Sequence, residues 1–433
     1  MNWVRETDER IEAEVEIDLG VITRLEVHDA LIKTSNGKSL GLDQVTAELL
    51  KADVNATVER LTDLFNIIWS EESTPKRWNK GLIVKIPKKG DLTDCSNWRG
   101  VTLLPVMSKI FGRVLINRLK DGVDKVLRQE QAGFRPNRST TEQIFTLRNI
   151  LEQSNEWNSP LYVHFIDFEK AFDSLHRNSL WNILKEYQIP DKIIRIVKAL
   201  YDNVECAVVD EGETTEWFHV TSGVKQGCVM SGFLFLLAID WMMKRVLAGE
   251  RRGIRWRFTT QLEDLDFADD IALLSAKHDH IQKKTEKVEE MAGRIGLNMN
   301  VKKCKHMRMN NRVDAPLKIN NIEVEDVEEF ISGAKVSKDG GGTEDIKNRL
   351  GKARGAFRNL RRIWTNGAIG RKTKLTLFKT LVRSVLLYGS EAWKVTKREE
   401  QKLDAFQFKC IRRILKIPWT ELVSNDRISS KQA

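Results

Sequence analysis

The chain has 433 residues, 41% hydrophobic and 30% charged, with a formal net charge of +10. That length supports two or three domains with real cores, and the composition excludes a disordered chain. The longest apolar run, residues 233–239, is far too short to span a membrane.

Five cysteines, odd in number and widely spaced without Cys-x-x-Cys, predict neither a disulfide framework nor a zinc site. A reducing, intracellular compartment fits them, and the acidic N-terminus is no signal peptide. The charge is uneven. Residues 1–30 hold three Arg against nine acids, whereas 343–416 hold 20 Lys and Arg against 6 acids. Such a basic third reads either as solvated helix faces or as a surface for a polyanion. The size of the excess favours nucleic acid.

In chain order, Leu49, Val58, Leu61, Leu64, Phe65 and Ile68 recur at helical spacing and predict one or two helices over 45–70. A strand over 81–87 runs into the basic turn Lys88-Lys89-Gly90-Asp91, and Asn97-Trp98-Arg99-Gly100 leads into a returning strand, 101–104. This is either an ordinary basic hairpin or one whose Lys88, Lys89 and Arg99 grip phosphates, Arg being the bidentate choice. A helix over 108–127 and a loop over 133–138 follow, and Ser139-Thr140-Thr141-Glu142 matches a capping box.

A strand over 161–168 carries Asp167 at its end, inside the acidic stretch Phe165-Ile166-Asp167-Phe168-Glu169-Lys170-Ala171-Phe172-Asp173. Helices over 177–187 and 190–201 and a hairpin of 206–209 with 217–220 lead to Gly223-Val224-Lys225-Gln226-Gly227-Cys228 and a very apolar helix, 233–247. Glycines at both ends of that loop let backbone approach a ligand, and the Gln226 amide can meet a base or sugar. Taken alone, such loops are usually structural.

Next, apolar strands flank Phe267-Ala268-Asp269-Asp270, placing two aspartates at a hairpin tip. Adjacent carboxylates there are costly to bury unless a cation sits against them, and a divalent metal takes such hard oxygen ligands. Asp-Asp alone reads as a polar turn. The Asp167 stretch about a hundred residues upstream reverses that reading, and the pair predicts a two-metal phosphoryl-transfer site. His278 and His280 read as exposed loop residues. After a helix over 279–293, Lys302 and Lys303 form either a solvated basic turn or an approach to a triphosphate. The glycine run 340–342 marks a boundary before helices over 346–363, 374–387 and 403–417, rich in Lys and Arg.

The Asp167 strand, the Gln226 loop and the Asp269-Asp270 hairpin stand in fixed order. They are accompanied by Gly41-Leu42-Asp43, Asn97-Trp98-Arg99-Gly100, Gln131-Ala132-Gly133-Phe134-Arg135 and Tyr388-Gly389-Ser390-Glu391-Ala392-Trp393. With these blocks the chain resembles reverse transcriptases, most closely the non-LTR (LINE-type) retrotransposon polymerases, from about residue 36 to 418. The resemblance implies an α+β right-hand polymerase fold with fingers, an antiparallel-sheet palm and a helical thumb. Its divisions are an acidic lead-in (1–35), fingers (36–155), palm (156–310), a primer-grip-like hairpin and connector (311–342), a basic thumb (343–418) and a tail (419–433).

The activity implied is RNA-directed DNA synthesis on a primer 3′-hydroxyl. Asp167, Asp269 and Asp270 would be catalytic and would ligate two Mg²⁺ ions, with Mn²⁺ as a substitute, Asp167 and Asp269 being the stronger ligands. Lys88, Lys89, Arg99, Phe172, Gln226, Gly227 and Lys303 would bind the nucleotide. The Phe172 ring would clash with a 2′-hydroxyl; a plain core aromatic is the equal alternative. Asp173 is expected to be a local cap. Arg354, Arg358, Arg361 and Arg362 in the thumb would bind nucleic acid. The partners implied are an RNA template, a DNA primer and dNTPs, with no membrane and unknown protein partners, in the nucleus by family habit or in the cytoplasm.

Two departures carry expectations. Val229-Met230-Ser231-Gly232 replaces the usual Pro-Leu-Ser-Pro, so glycine is expected to loosen that helix start, and Phe330-Ile331-Ser332-Gly333 replaces a Tyr-Leu-Gly hairpin, one residue short. With no endonuclease domain ahead of it, the chain reads as a fragment or decayed copy. A catalytically inactive nucleic-acid-binding relic is the alternative function. An RNA-dependent RNA polymerase is opposed by Phe172.

Overall fold

The computed structural model describes residues 16–430, apart from Lys89, Glu211, 257–259, Arg312, Asp314, Gly333, 339–341, Lys394 and Leu422. The predicted helix over 45–70 is two helices, Ala47–Ala52 and Val54–Glu71, broken where extended Asp53 caps the second through Ala56 N–H. Strand β1 (Lys80–Pro87) pairs antiparallel with β2 (Trp98–Leu103). Helix α1 (Val106–Asp124) buries Ile110, Phe111, Val114 and Leu115, and α2 (Thr140–Glu156) opens at the expected Ser139/Glu142 capping box.

The strand β3 (Leu161–Ile166) is buried on both faces, which puts it in the middle of a sheet. Strand β4 (Glu205–Asp210) runs parallel to β1 and completes the first sheet, β2-β1-β4, with two short strands at its edge. Helix α3 (Val229–Leu247) is apolar nearly all round and is correspondingly buried. It starts at Val229, before Gly232. The glycine lies in the first turn of the helix and clears room there, since a Cβ would stand 2.7 Å from the Phe134 ring.

The second sheet has the order β8-β7-β3-β6-β5, built from β5 (Asp264–Phe267), β6 (Asp270–Ser275), β7 (Lys305–Met309) and β8 (Glu325–Asp326). One face, with Tyr162, Ile166, Ile271 and Leu273, packs against α3 and against α4 (His278–Arg294). The other face, with Val163, Phe165, Ala272 and Leu274, packs on Ile144, Leu147 and Leu151 of α2. His278 is not an exposed loop residue: it opens α4, its side chain is 11% exposed, and its ring meets Tyr162 edge-on. His164 and His306 face each other across β3 and β7, wholly buried.

The hairpin of β9 (Glu329–Ser332) and β10 (Ala334–Ser337) lays Phe330 flat on Phe165 at 3.9 Å. Beyond it α5 (Thr343–Asn359) and α6 (Lys397–Leu415) close a separate apolar cluster with Leu350, Phe357, Phe378, Ile411 and Ile414. The predicted helix over 374–387 is interrupted by a wider π-helical turn, Phe378–Arg383. This cluster is tied to the sheet by Arg148 of α2, which donates to Asp345 at 3.0 Å and to the Ala392 carbonyl at 2.8 Å; both charged side chains are buried. No described helix is long and apolar enough to cross a membrane.

Candidate active site

Ile166 is the last residue of β3 and pairs with Ile271 of β6, so the chain beyond β3 emerges beside the turn that joins β5 to β6. Phe267 pairs with Asp270, leaving Ala268 and Asp269 as the two turn residues, with Ala268 at φ +59°. Asp269 therefore stands at the tip, and Asp270 begins the strand.

Asp167 is fixed on its backbone: its carbonyl accepts from Asn300 N–H at 2.8 Å, and its N–H reaches the Cys304 sulfur at 3.5 Å. Its carboxylate lies 3.5 Å from the Lys303 ammonium, and both side chains reach solvent. The Asp269 carboxyl is held above its ordinary value, first by burial and further by the charge of Asp167, against which Arg99 pulls it down. Two chain-distant carboxylates thus feel each other, with Lys303 and Arg99 as counter-charges.

The described residues contain no ready-made cluster of three His, Cys, Asp or Glu ligands. Two carboxylates are nevertheless the donor set a hard divalent cation takes when phosphate oxygens of a substrate complete its shell. Their mutual repulsion, felt at Asp269, is what such a cation would relieve.

The other predicted residues fall into three groups. The Gln226 loop is pressed onto β2: Thr102 N–H donates to the Gln226 carbonyl at 2.6 Å, and Gly227, at φ +116°, would put a Cβ 2.4 Å from the Thr102 oxygen. Arg99 lies on the same strand. Phe172 is half-buried, stacked on Phe235 at 4.5 Å and edge-on to Phe134 at 6.3 Å, so it is a core aromatic with one open flank. Lys88 closes the β1–β2 hairpin, its N–H donating to Asn97 O at 2.7 Å. Its charge acts on Asp173, whose carboxyl is raised by burial first.

Asp173 caps nothing. It lies inside the short helix Ala171–Ser174, whose N-cap is Lys170. Lys89 lies outside the described residues. Arg354, Arg358, Arg361 and Arg362 are exposed on the C-terminal helices, which pack among themselves rather than around the carboxylates.

Two buried groups beside the hairpin were missed. Arg128 spans Asp264 and Asp266 on β5, donating to Asp264 at 2.7 Å and closely to Asp266. Burial and the neighbouring Asp264 push the Asp266 carboxyl well up. Gln131 reaches the turn itself. The alternation of Asp264 and Asp266 between apolar residues was the available signal, because inward carboxylates on a strand require a buried cation.

Residues 86–335, more than half of the chain, match the family profile described as reverse transcriptase (RNA-dependent DNA polymerase), and residues 356–388 match a domain of unknown function. The transposon TX1 uncharacterized 149 kDa protein of Xenopus laevis is 28% identical over 54% of this chain and 17% of its own length. The RNA-directed DNA polymerase from mobile element jockey of Drosophila melanogaster is 24% identical over 96% of this chain and 46% of its own. A Pol polyprotein from the type-1 retrotransposable element R2 of Nasonia vitripennis is 26% identical over 58% and 24%. The chain spans less than half the length of each. Among solved structures, telomerase of Candida tropicalis in complex with a telomeric RNA fragment aligns with a TM-score of 0.44 at 12% identity, covering 87% of this chain and 68% of that one. With the family profile spanning both acidic stretches, the chain belongs to the reverse transcriptase (RNA-dependent DNA polymerase) family.

Proposed function

We propose that the chain is the polymerase portion of a LINE-type retrotransposon protein and extends a DNA primer with dNTPs on an RNA template. The observation that carries this reading is the meeting of Asp167 and Asp269 at the end of one sheet, close enough for one charge to raise the other's pKa. Asp167 and Asp269 are the residues that would hold two Mg²⁺ ions, with Asp270 in support. Such ions, when bound, activate a hydroxyl and stabilise a pyrophosphate leaving group.

The chain's own residues do the rest. Lys303 and Arg99, already beside the carboxylates, neutralise the triphosphate. Lys88 approaches from the β1–β2 hairpin. Gln226 and Gly227 present backbone and amide to the nascent pair, and the open flank of Phe172 faces the sugar. Exposed Arg354, Arg358, Arg361 and Arg362 grip duplex phosphates in a salt-dependent way. Family habit points to the nucleus, with the cytoplasm as the alternative location.

The test is primer extension on an RNA template with dNTPs and Mg²⁺. Wild type is expected to incorporate at least about 100-fold faster than Asp269→Ala, the scale of losing an electrostatic group essential to the step. Equal rates would remove the enzymatic reading, and salt-sensitive duplex binding without synthesis would leave the inactive relic.

A further inference from the structure

The block Gln131-Ala132-Gly133-Phe134-Arg135 has no role in the chemistry above, yet the structure lays it against the acidic hairpin. Ala132 N–H donates to the Asp266 carbonyl at 3.0 Å, and Asp266 N–H donates to Glu130 O at 3.3 Å, so this segment covers the outer edge of β5. Gln131 is wholly buried. Its side-chain oxygen accepts from Ala268 N–H at 3.0 Å and from Gly133 N–H at 2.7 Å, and its amide nitrogen donates to Ala268 O at 3.4 Å. One side chain therefore meets both backbone polar groups of the residue before Asp269.

The fit leaves no slack. A Cβ on Gly133 would stand 2.1 Å from Ala268 N. Two residues earlier than Asp266 and again at Asp266, Arg128 holds the inward carboxylates of the same strand. Asp264, Asp266 and Ala268, alternate positions leading to the tip, are thus all held from one short segment. A turn bound on one edge by β6 and on the other by Gln131 cannot slide along the sheet.

We propose that Gln131 is a positioning residue that sets where the Asp269 carboxylate stands relative to Asp167. The proposal rests on the polymerase reading for its effect on rate, but not for its effect on the turn. A misplacement of about 1 Å at a reacting centre costs on the order of 100-fold in rate. Ground-state binding of duplex, which Gln131 does not touch, is left alone.

The experiment compares the full chain with Gln131→Met, which keeps bulk but can make none of the three hydrogen bonds, and with Gln131→Glu. Two readouts are taken: single-turnover incorporation, and hydrogen exchange of a peptide spanning 264–275. For Gln131→Met the expected result is a 10- to 100-fold lower maximal rate, with the KM for dNTP and duplex affinity within about threefold. Exchange of the hairpin peptide rises while β3 and α3 stay protected.

In the Gln131→Glu variant, a protonated carboxyl would offer the same acceptor and donor as the native amide. Exchange in Gln131→Glu, corrected for intrinsic rates, should therefore approach wild type as pH is lowered, and exchange in Gln131→Met should not. If the Met variant does not fold, the pH response of the Glu variant decides the matter. Unchanged hairpin exchange, or faster exchange with an unchanged maximal rate, overturns the proposal. A wild-type chain that incorporates nothing instead removes the polymerase reading, and the exchange data alone then judge the tether.

Discussion

In the proposed polymerase reading, Asp269 serves chemistry at the expense of folding. Its carboxyl titrates above the ordinary range because it is buried and lies near Asp167, while Arg99 partly offsets both. A folded-state pKa above the unfolded one means stability is fully present at low pH and is lost as pH rises through the folded pKa. Activity runs the other way, since the ionised form is the one that faces cations. Arg99→Gln, which removes the charge that lowers Asp269, should move the acid limb of the incorporation rate higher than in wild type under the same Mg²⁺. Asp269→Asn should lose the rate yet melt at a higher temperature than wild type at neutral pH. A lower melting temperature would contradict this assignment of the shift.

Phe172 is a packed aromatic, and the proposed reading gives its open flank the sugar of the incoming nucleotide. It stacks on Phe235 and keeps an open flank, so Phe172→Ala should lower discrimination against rNTPs by at least about tenfold and also cost roughly 1–3 kcal/mol through lost packing. Competitive incorporation and urea unfolding measure the two separately. The acidic and glycine positions were legible from sequence because their chemistry is local. Arg128 and Gln131 were not, because each is defined by a partner more than a hundred residues away, which one sequence does not reveal.

Among the elements, strands and helices with strong periodicity were legible. The six-residue apolar run of β3, the capping box of α2 and the buried helix α3 stand close to where their patterns put them. The misses have packing causes. Helix α3 starts at Val229, ahead of its apolar run, with Gly232 inside it against the Phe134 ring, and the 374–387 helix widens at Phe378–Arg383 without a Gly or Pro to announce it. His278 departs from its expected exposed loop for a similar reason, since its ring is covered edge-on by Tyr162 of a distant strand. His164 and His306 stand opposite each other across two strands, ring edge to ring face, a register that sequence spacing does not give.

Burial lowers His164 to about 4, and burial together with His164 lowers His306 to about 3. Both are depressed from an unfolded value of about 6.5, so their contribution is intact above that pH and is lost progressively on acidification. The histidine contribution should begin to fall below roughly pH 6.5. His306→Phe should flatten the slope of melting temperature against pH in that window. An unchanged slope would mean the imidazoles are not neutral in the fold.

At the scale of the whole molecule, the basic excess of residues 343–416 is carried by helices with their own apolar cluster. That arrangement followed from composition and from the helical patterning. The way it joins the remainder did not, because the junction includes a buried ion pair, Arg148 with Asp345, with the Ala392 carbonyl and Trp393 Nε1 gathered on the same two side chains and Ala392 packed in the apolar cluster under the sheet. Removing Arg148 leaves Asp345 with Arg349 at 3.7 Å and Trp393 Nε1 at 2.9 Å, so Arg148→Ala should cost about 1.5–3 kcal/mol by denaturant unfolding, the scale of a lost charged hydrogen bond. A cost below about 1 kcal/mol would show that water already reaches the pair.

Arg148 follows directly on Leu147, which packs under the sheet on the side where Asp270 lines an apolar cleft with Phe165 and Phe330. A single helix thus shoulders the acidic end of the sheet and helps moor the basic helices with the next side chain. If an inserted protease site severed the chain between Ser337 and Thr343, the two fragments should still elute as one species, and with Arg148→Ala their association should weaken by at least about tenfold. Covalent continuity is then dispensable for holding the halves together, because the side chains gathered around Asp345 and Ala392 already moor one to the other.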